Sequence, residues 1–263
     1  MIKFSGGGFD YMYDAIVLAG GENSEHLSKF SSQSYEAMIE IAGKPMVTFV
    51  TDALAAAPRV ERILIVGPVE QLVKCNFPEQ MILVEGGRTI IESIQLGMRA
   101  LGHQRKVLVV TADIPLLTPA AIDDFLTQCA DSEADLYYPI VSKKIHNQHY
   151  PGNQRTYVRF KDGTYTGGNI FLVNPVIVPQ CLVVAEELIN NRKNPFKLCC
   201  LLGWGFVLKF LIGRLNLSKV KERVAQLLGV TGAVIQSSYP ELGIDVDKPS
   251  DLEMVRTAFS FRI

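Results

Sequence analysis

AIVLAGG, residues Ala15–Gly21, is a short apolar run closed by a Gly-Gly pair. Three later segments share its character: RILIVG (Arg62–Gly67), MILVE (Met81–Glu85) and VLVVT (Val107–Thr111). Runs this short, rich in β-branched residues and bounded by glycine or proline read as buried strands. Between the first two, Pro45 opens a helical pattern in which Met46, Phe49, Val50, Ala53 and Leu54 share one face. Thr89–Leu101 and Ala120–Ala130 repeat that period. Strands alternating with helices at this spacing build βαβ units. The expected fold is α/β, three-layered, with a mostly parallel sheet covered on both faces.

Beyond Leu136 the texture changes. Tyr157–Phe160, the turn at Asp162-Gly163 and Asn169–Val173 predict antiparallel strands. Helical patterns follow over Val183–Asn190, through an apolar run, and over Leu217–Leu228. A last strand at Ala233–Gln236 precedes GIDVDKPSDL and a terminal helix from about Pro249. No repeat or linker divides the chain. Residues 1–263 read as one α/β domain with an α-helical insertion at about 180–230, in the C-terminal third.

Composition narrows the function. Lys+Arg 26 against Asp+Glu 27 leaves a net charge of −1, which argues against a nucleic-acid-coating protein or a polybasic membrane binder. Apolar content of 48% with 20% charged residues is that of a folded globule. The five cysteines form no C-x-x-C pair, so neither a disulfide framework nor a structural zinc site is expected. The opening MIKFSGGGFDYMYD lacks the apolar core of a signal peptide, and a cytoplasmic protein is the expectation. Phe196–Leu215 is roughly as long as a membrane span, but Lys197, Lys209 and Arg214 interrupt it. It reads as a buried helix or helix pair. An interfacial helix making peripheral membrane or lipid contact, or a homodimer face, are the alternatives.

In an open α/β sheet, ligands bind beyond the carboxyl ends of the strands, and three segments present chemistry there. Gly20 and Gly21 follow the first strand, where backbone can approach a ligand closely. Neither a Rossmann nor a Walker glycine pattern is satisfied. Asp113, in VLVVTADIPLL, stands just past a buried strand, a position suited to a Mg²⁺ ligand or to a turn. Asp245 and Asp247, in GIDVDKPSDL, alternate so that one cation can meet either, although Asp247 and Ser250 also suit capping of the final helix.

Together these segments resemble the MobA-like nucleotidyltransferases. AIVLAGG followed by IEIAGKPM resembles that family's N-terminal signature, TADIPLL its central metal-aspartate motif and GIDVDKPSDL its C-terminal D-x-D-x-P-x-D-L segment. GGRTIIESIQLGMRAL, from Gly86, looks like its second nucleotide-contacting stretch. The resemblance implies a Rossmann-like nucleotide-binding half over 14–140 and an acceptor half over 141–263. It implies transfer of a nucleoside monophosphate from a triphosphate to a phosphorylated acceptor, with release of pyrophosphate. Asp113 and Asp245 would hold Mg²⁺ or Mn²⁺. Leu18, Ala19, Gly20 and Gly21, with Arg88 and Ser93, would hold the nucleotide. Gly168 and Asn169 would lie against the acceptor; the expected hairpin could aim Arg155 or Arg159 at an acceptor phosphate, or carry them as ordinary surface arginines.

One departure matters. The family places a lysine where this sequence has Glu36, and a reversed charge beside a triphosphate is costly. Between Gly21 and Gly43 the only cationic side chains are Lys29 and, if protonated, His26; Lys29 either supplies the missing charge through a differently folded loop or is a solvated loop lysine. Two other readings remain at this stage. One is a catalytically degenerate nucleotide-binding or scaffold protein; the other is a nucleotide-sugar-dependent glycosyltransferase, for which Asp245-Val-Asp247 is formally a D-x-D site.

Overall fold

The computed structural model describes residues 11–102, 105–179, 181, 187 and 203–260. In chain order the strands are β1 (Tyr13–Leu18), β2 (Glu40–Ile41), β3 (Lys44–Pro45), β4 (Val60–Gly67), β5 (Ile82–Glu85), β6 (Val107–Thr111), β7 (Leu136–Ser142), β8 (Val158–Phe160), β9 (Gly163–Gly167), β10 (Ile170–Val173) and β11 (Gly232–Ser237). The described helices are α1 (Met46–Ala55), α2 (Val69–Leu72), α3 (Ile90–Leu101), α4 (Pro119–Ala130), α5 (Lys143–His149), α6 (Trp204–Leu211), α7 (Leu217–Leu228) and α8 (Pro249–Ser260).

Nine strands form one sheet in the order β5-β4-β1-β6-β10-β7-β9-β8, with β11 parallel along the other edge of β7. β5, β4, β1 and β6 are mutually parallel, while β10 runs antiparallel to both β6 and β7. The fold is therefore α/β with a mostly parallel sheet, as the strand–helix alternation predicts. Period-two burial explains the layers. Ala15 and Val17 of β1 pack with Val47, Val50 and Leu54 of α1 and Ile122 and Phe125 of α4. Ile16, between them in sequence, packs on the opposite face with Ile94 and Met98 of α3. Each fully buried side chain of this size contributes about 2 kcal/mol.

Local signals end the helices where the sequence changes character. Thr89 accepts a hydrogen bond from Glu92 N at the start of α3, and Gly102, at φ +70°, closes it in the left-handed region. Thr118 caps α4 in the same way, with Pro119 in its first turn. A third apolar cluster sits beneath the carboxyl ends of the strands. It unites Leu27 and Ile39 with Leu116, with Ile244 and Val246, and with Leu252 and Val255 of α8. That cluster pins the loop after β1, the loop after β6 and the segment before α8 against one another.

Two elements are not assigned by the strand and helix patterns of the sequence. The stretch after Leu136 is a central strand, β7, despite Pro139. The Pro139 carbonyl accepts from Gly168 N (2.9 Å), so the amide hydrogen it lacks would point toward the break between β9 and β10. KKIHNQH is the helix α5, capped by Ser142 and ending two residues before Pro151. Of the helical insertion at about 180–230, α6 and α7 are described. The Val183–Asn190 pattern (save Glu187) and the first part of 196–215 lie outside the described residues. Among the described residues no helix is long and apolar enough to cross a membrane.

Candidate active site

β4 lies on one side of β1 and β6 on the other, so strand order reverses at the carboxyl ends of β1 and β6. This is where an open α/β sheet leaves a crevice. Leu18 O accepts from Ala112 N (3.1 Å) and Ala19 N donates to Val66 O (2.8 Å), which fixes the start of the Gly-Gly turn between its neighbours. Gly20 and Gly21 are exposed at its mouth. The chain then leaves and returns. Glu22 bridges Tyr35, Asn23 N donates to Ser34 O, and the Asn23 amide donates to Ser31 O and Gln33 O. Glu36 N donates to Gly21 O (3.0 Å), bringing the Glu36 carboxylate back over the glycines.

Asp113 stands two residues past β6. The Thr111 hydroxyl donates to its carboxylate, and its own carbonyl accepts from Val246 N (2.9 Å). That last bond joins the two acidic segments directly. Carboxylate oxygens of Asp113, Asp245 and Asp247 lie within 4.8 Å of one another. Arg155 pairs with the Asp245 carboxylate and also donates to its carbonyl (3.1 Å). Oxygen-only donors in this number are the set a hard divalent cation prefers. The Asp245 oxygen paired with Arg155 is buried, so an ion held here would share the Asp245 carboxylate with that guanidinium.

Crowding of negative charge shows in the proton affinities. Burial pushes the Asp113 carboxyl up and Asp247 adds to the rise, against the Thr111 hydrogen bond and Arg155. Burial, then Asp113 and Asp247, push Glu36 up to about 7. The position where the sequence lacks the family lysine therefore adds a fourth carboxylate to the cleft.

The remaining expected site residues are placed as follows. Ser93 is buried and accepts from Gly87 N (3.0 Å), holding the turn after β5, while Arg88 is 93% exposed beside Glu92. Lys29 is exposed on the turn of residues 25–30. Asn169 N donates to Leu242 O and its carbonyl accepts from Thr111 N, which sets it beside the Asp113 loop with a buried side-chain amide nitrogen lacking a partner. Gly168 is sterically obligatory, since a Cβ there would lie 2.7 Å from Pro139 Cγ and 3.2 Å from Leu242 O. Arg155 precedes the hairpin and turns to Asp245. Arg159 lies on the outer strand β8, opposite Thr164, with its stem against Gly213.

Helix capping also falls differently from expectation: Asp251, in the first turn of α8, accepts from Asp247 N (3.4 Å) and from the Asn153 amide (3.1 Å). This frees Asp247 for the acidic cluster. Sequence reasoning also passed over His146, which is fully buried, holds the Tyr157 hydroxyl at 2.8 Å through Nδ1, and is kept below its ordinary pKa by burial.

A sequence profile of the MobA-like NTP transferase domain matches residues 15–191. The chain belongs to this family. A solved structure of a hypothetical transferase from Thermus thermophilus superposes with a TM-score of 0.78 at 36% identity, covering 92% of this chain and 99% of that one. The 4-diphosphocytidyl-2C-methyl-D-erythritol synthase of Anaerococcus prevotii shares the fold, with a TM-score of 0.58 at 12% identity over 95% of this chain and 97% of that one. Among curated proteins, the bifunctional protein GlmU of Halalkalibacterium halodurans is 30% identical over 123 residues, 46% of this chain. The match spans about a quarter (26%) of that relative's length.

Proposed function

We propose that this chain is a divalent-cation-dependent nucleotidyltransferase. It would join a nucleoside monophosphate from a nucleoside triphosphate to a phosphorylated acceptor. An acceptor phosphate oxygen forms a bond to the α-phosphorus, the bond from that phosphorus to the bridging oxygen breaks, and pyrophosphate leaves with the electron pair. The observation that carries this reading is the convergence of Asp113, Asp245 and Asp247 at the reversal of strand order, beside the Gly20-Gly21 turn.

The chemistry asks the protein chiefly to position groups and stabilise charge. Leu18, Ala19, Gly20 and Gly21 offer backbone to the nucleotide. The turn held by Ser93, with Arg88, borders the same side. Asp113 and Asp245, joined by Asp247, would hold Mg²⁺ or Mn²⁺, which when bound supplies positive charge to the phosphate oxygens. Gly168 and Asn169 bring a free amide donor to the acceptor side, and Lys29 is the cation nearest in sequence to the missing lysine. Family membership favours this reading over sugar transfer.

Glu36 supports a second reading. A fourth carboxylate facing Asp113 and Asp247 repels a triphosphate, as it would in a protein that has lost catalysis. Thermal-shift measurements with each ribonucleoside triphosphate, with and without Mg²⁺, separate the two. A Mg²⁺-dependent rise with one base supports transfer, and Asp113→Asn should then lower the rate of pyrophosphate release about a thousandfold while the fold persists. No shift with any triphosphate sinks transfer and favours the degenerate reading.

A further inference from the structure

α5 and the segment that follows it border an open surface cavity of about 570 Å³, lined by Lys143, Asn147, Asn153, Gln154, Arg155 and Tyr157 among others. That volume lies within the range of small-ligand pockets. Its charged lining is cationic; no carboxylate among the described residues borders it. Lys143 and Asn147 are one helical turn apart, so both present to the same side of α5. The Lys143 ammonium rests over the Tyr157 ring, 5.1 Å from its centroid. Beneath it, His146 Nδ1 holds the Tyr157 hydroxyl, and the His146 and Tyr157 rings meet edge-on at 5.9 Å. An ammonium, three side-chain amides and a fixed phenol are thus arranged around one space.

This cavity is built onto the acidic cluster. Arg155 lines it and pairs with Asp245. Lys248 Nζ donates to Gln154 O (3.0 Å), and the Asn153 amide donates to Asp251. The wall of the cavity is therefore fastened to the segment carrying Asp245 and Asp247. A ligand seated there has one end beside the proposed centre of phosphoryl chemistry. The Arg155 charge is offset by Asp245, which leaves Lys143 as the cation facing an incoming anion, with amides and phenol suited to hydroxyl groups.

We propose that this cavity is the acceptor subsite, and that the acceptor is a soluble phosphate ester of a small polyol, its phosphate drawn by Lys143 and its hydroxyls met by Asn147, Asn153 and Tyr157. This rests on the nucleotidyltransferase reading. The probes are sn-glycerol 3-phosphate and D-ribose 5-phosphate, compared with inorganic phosphate, by thermal shift on the full chain without nucleotide. At least one ester should stabilise the protein more than inorganic phosphate does. Lys143→Met and Asn147→Ala should each weaken its apparent affinity about tenfold, the loss of one charge-assisted or polar contact.

Lys144→Met, on the next position of the same helix, should leave the affinity unchanged. All three residues are exposed, so the substitutions spare the core. The assignment is overturned if neither ester shifts the melting temperature at millimolar concentration. It is also overturned if the shift survives Lys143→Met and Asn147→Ala, or if inorganic phosphate matches the esters. A parallel titration with Mg²⁺ and triphosphate keeps the two ideas apart. Loss of that response alone counts against nucleotidyl transfer, while the ester response and its Lys143 dependence speak only to this pocket.

Discussion

Glu36 is the residue on which the electrostatics of the cleft turns. Its carboxyl is raised from 4.5 to about 7 by burial and by Asp113 and Asp247. Between those values the folded chain keeps the Glu36 proton and the unfolded chain releases it. Stability of the cation-free protein should therefore fall as pH rises through that window, with a slope of at most about 1.4 kcal/mol per pH unit from this group. Glu36→Gln should flatten the slope in melts across the window; an unchanged slope would show that Glu36 is solvated. Glu36→Lys makes the stronger statement. Two unit charges 4 Å apart interact by about 4 kcal/mol at an effective dielectric of 20, so restoring a cation should tighten binding of a Mg²⁺-triphosphate at least about tenfold. Equal or weaker binding by that variant would show that the triphosphate does not pass this position. The sequence exposed the reversal of charge. It did not expose its partners, because the loop of residues 22–35 returns Glu36 to Gly21 through backbone bonds that no local pattern announces.

Helix α3 shows how an element is set by close approach. A Cβ at Gly97 would lie 2.9 Å from Ile16 Cδ1 and 3.1 Å from Val66 Cγ2, both fully buried on the sheet beneath. Alanine at this helical position gains about 1 kcal/mol of intrinsic propensity. Overpacking a sealed core costs about 1–3 kcal/mol. The second effect should win, and Gly97→Ala should destabilise the chain by about 1 kcal/mol in urea unfolding; a more stable variant would mean that the α3–sheet gap can widen freely. Elements of this kind, apolar on one period and sealed between strands, are legible in sequence: β1, β4, β5, β6, α1, α3 and α4 all follow from run length and periodicity. β7 and α5 do not. Pro139 is tolerated in β7 because its missing donor faces a break in the partner strand, and Pro151 lies beyond the end of α5 rather than within it. In both cases the proline occupies a place where the tertiary structure needs no amide hydrogen.

At the scale of the whole molecule, the acidic site belongs to no single element. Asp113 follows β6, Asp245 and Asp247 precede α8, Glu36 closes the loop after β1, and Arg155 comes from the segment after α5. The sequence carried the three motifs separately, and the apolar cluster of Leu27, Ile39, Leu116, Ile244 and Val255 explains why they meet. A cation shared by Asp113, Asp245 and Asp247 would cross-link segments far apart in the chain, so its binding free energy adds to global stability. Ligand at one hundred times its dissociation constant adds about 2.7 kcal/mol. Mg²⁺ or Mn²⁺ should accordingly raise the melting temperature of chelator-treated protein, and Asp113→Asn or Asp245→Asn should abolish the rise. The ion competes with protons for carboxylates whose affinity for protons is already raised at Asp113. The stabilisation should thus grow as pH increases, opposite in sign to the Glu36 trend in the cation-free chain. Melting curves that respond equally to the ion at acidic and neutral pH would place the cation elsewhere on the molecule, because only ligands that must lose protons in the native state impose that dependence.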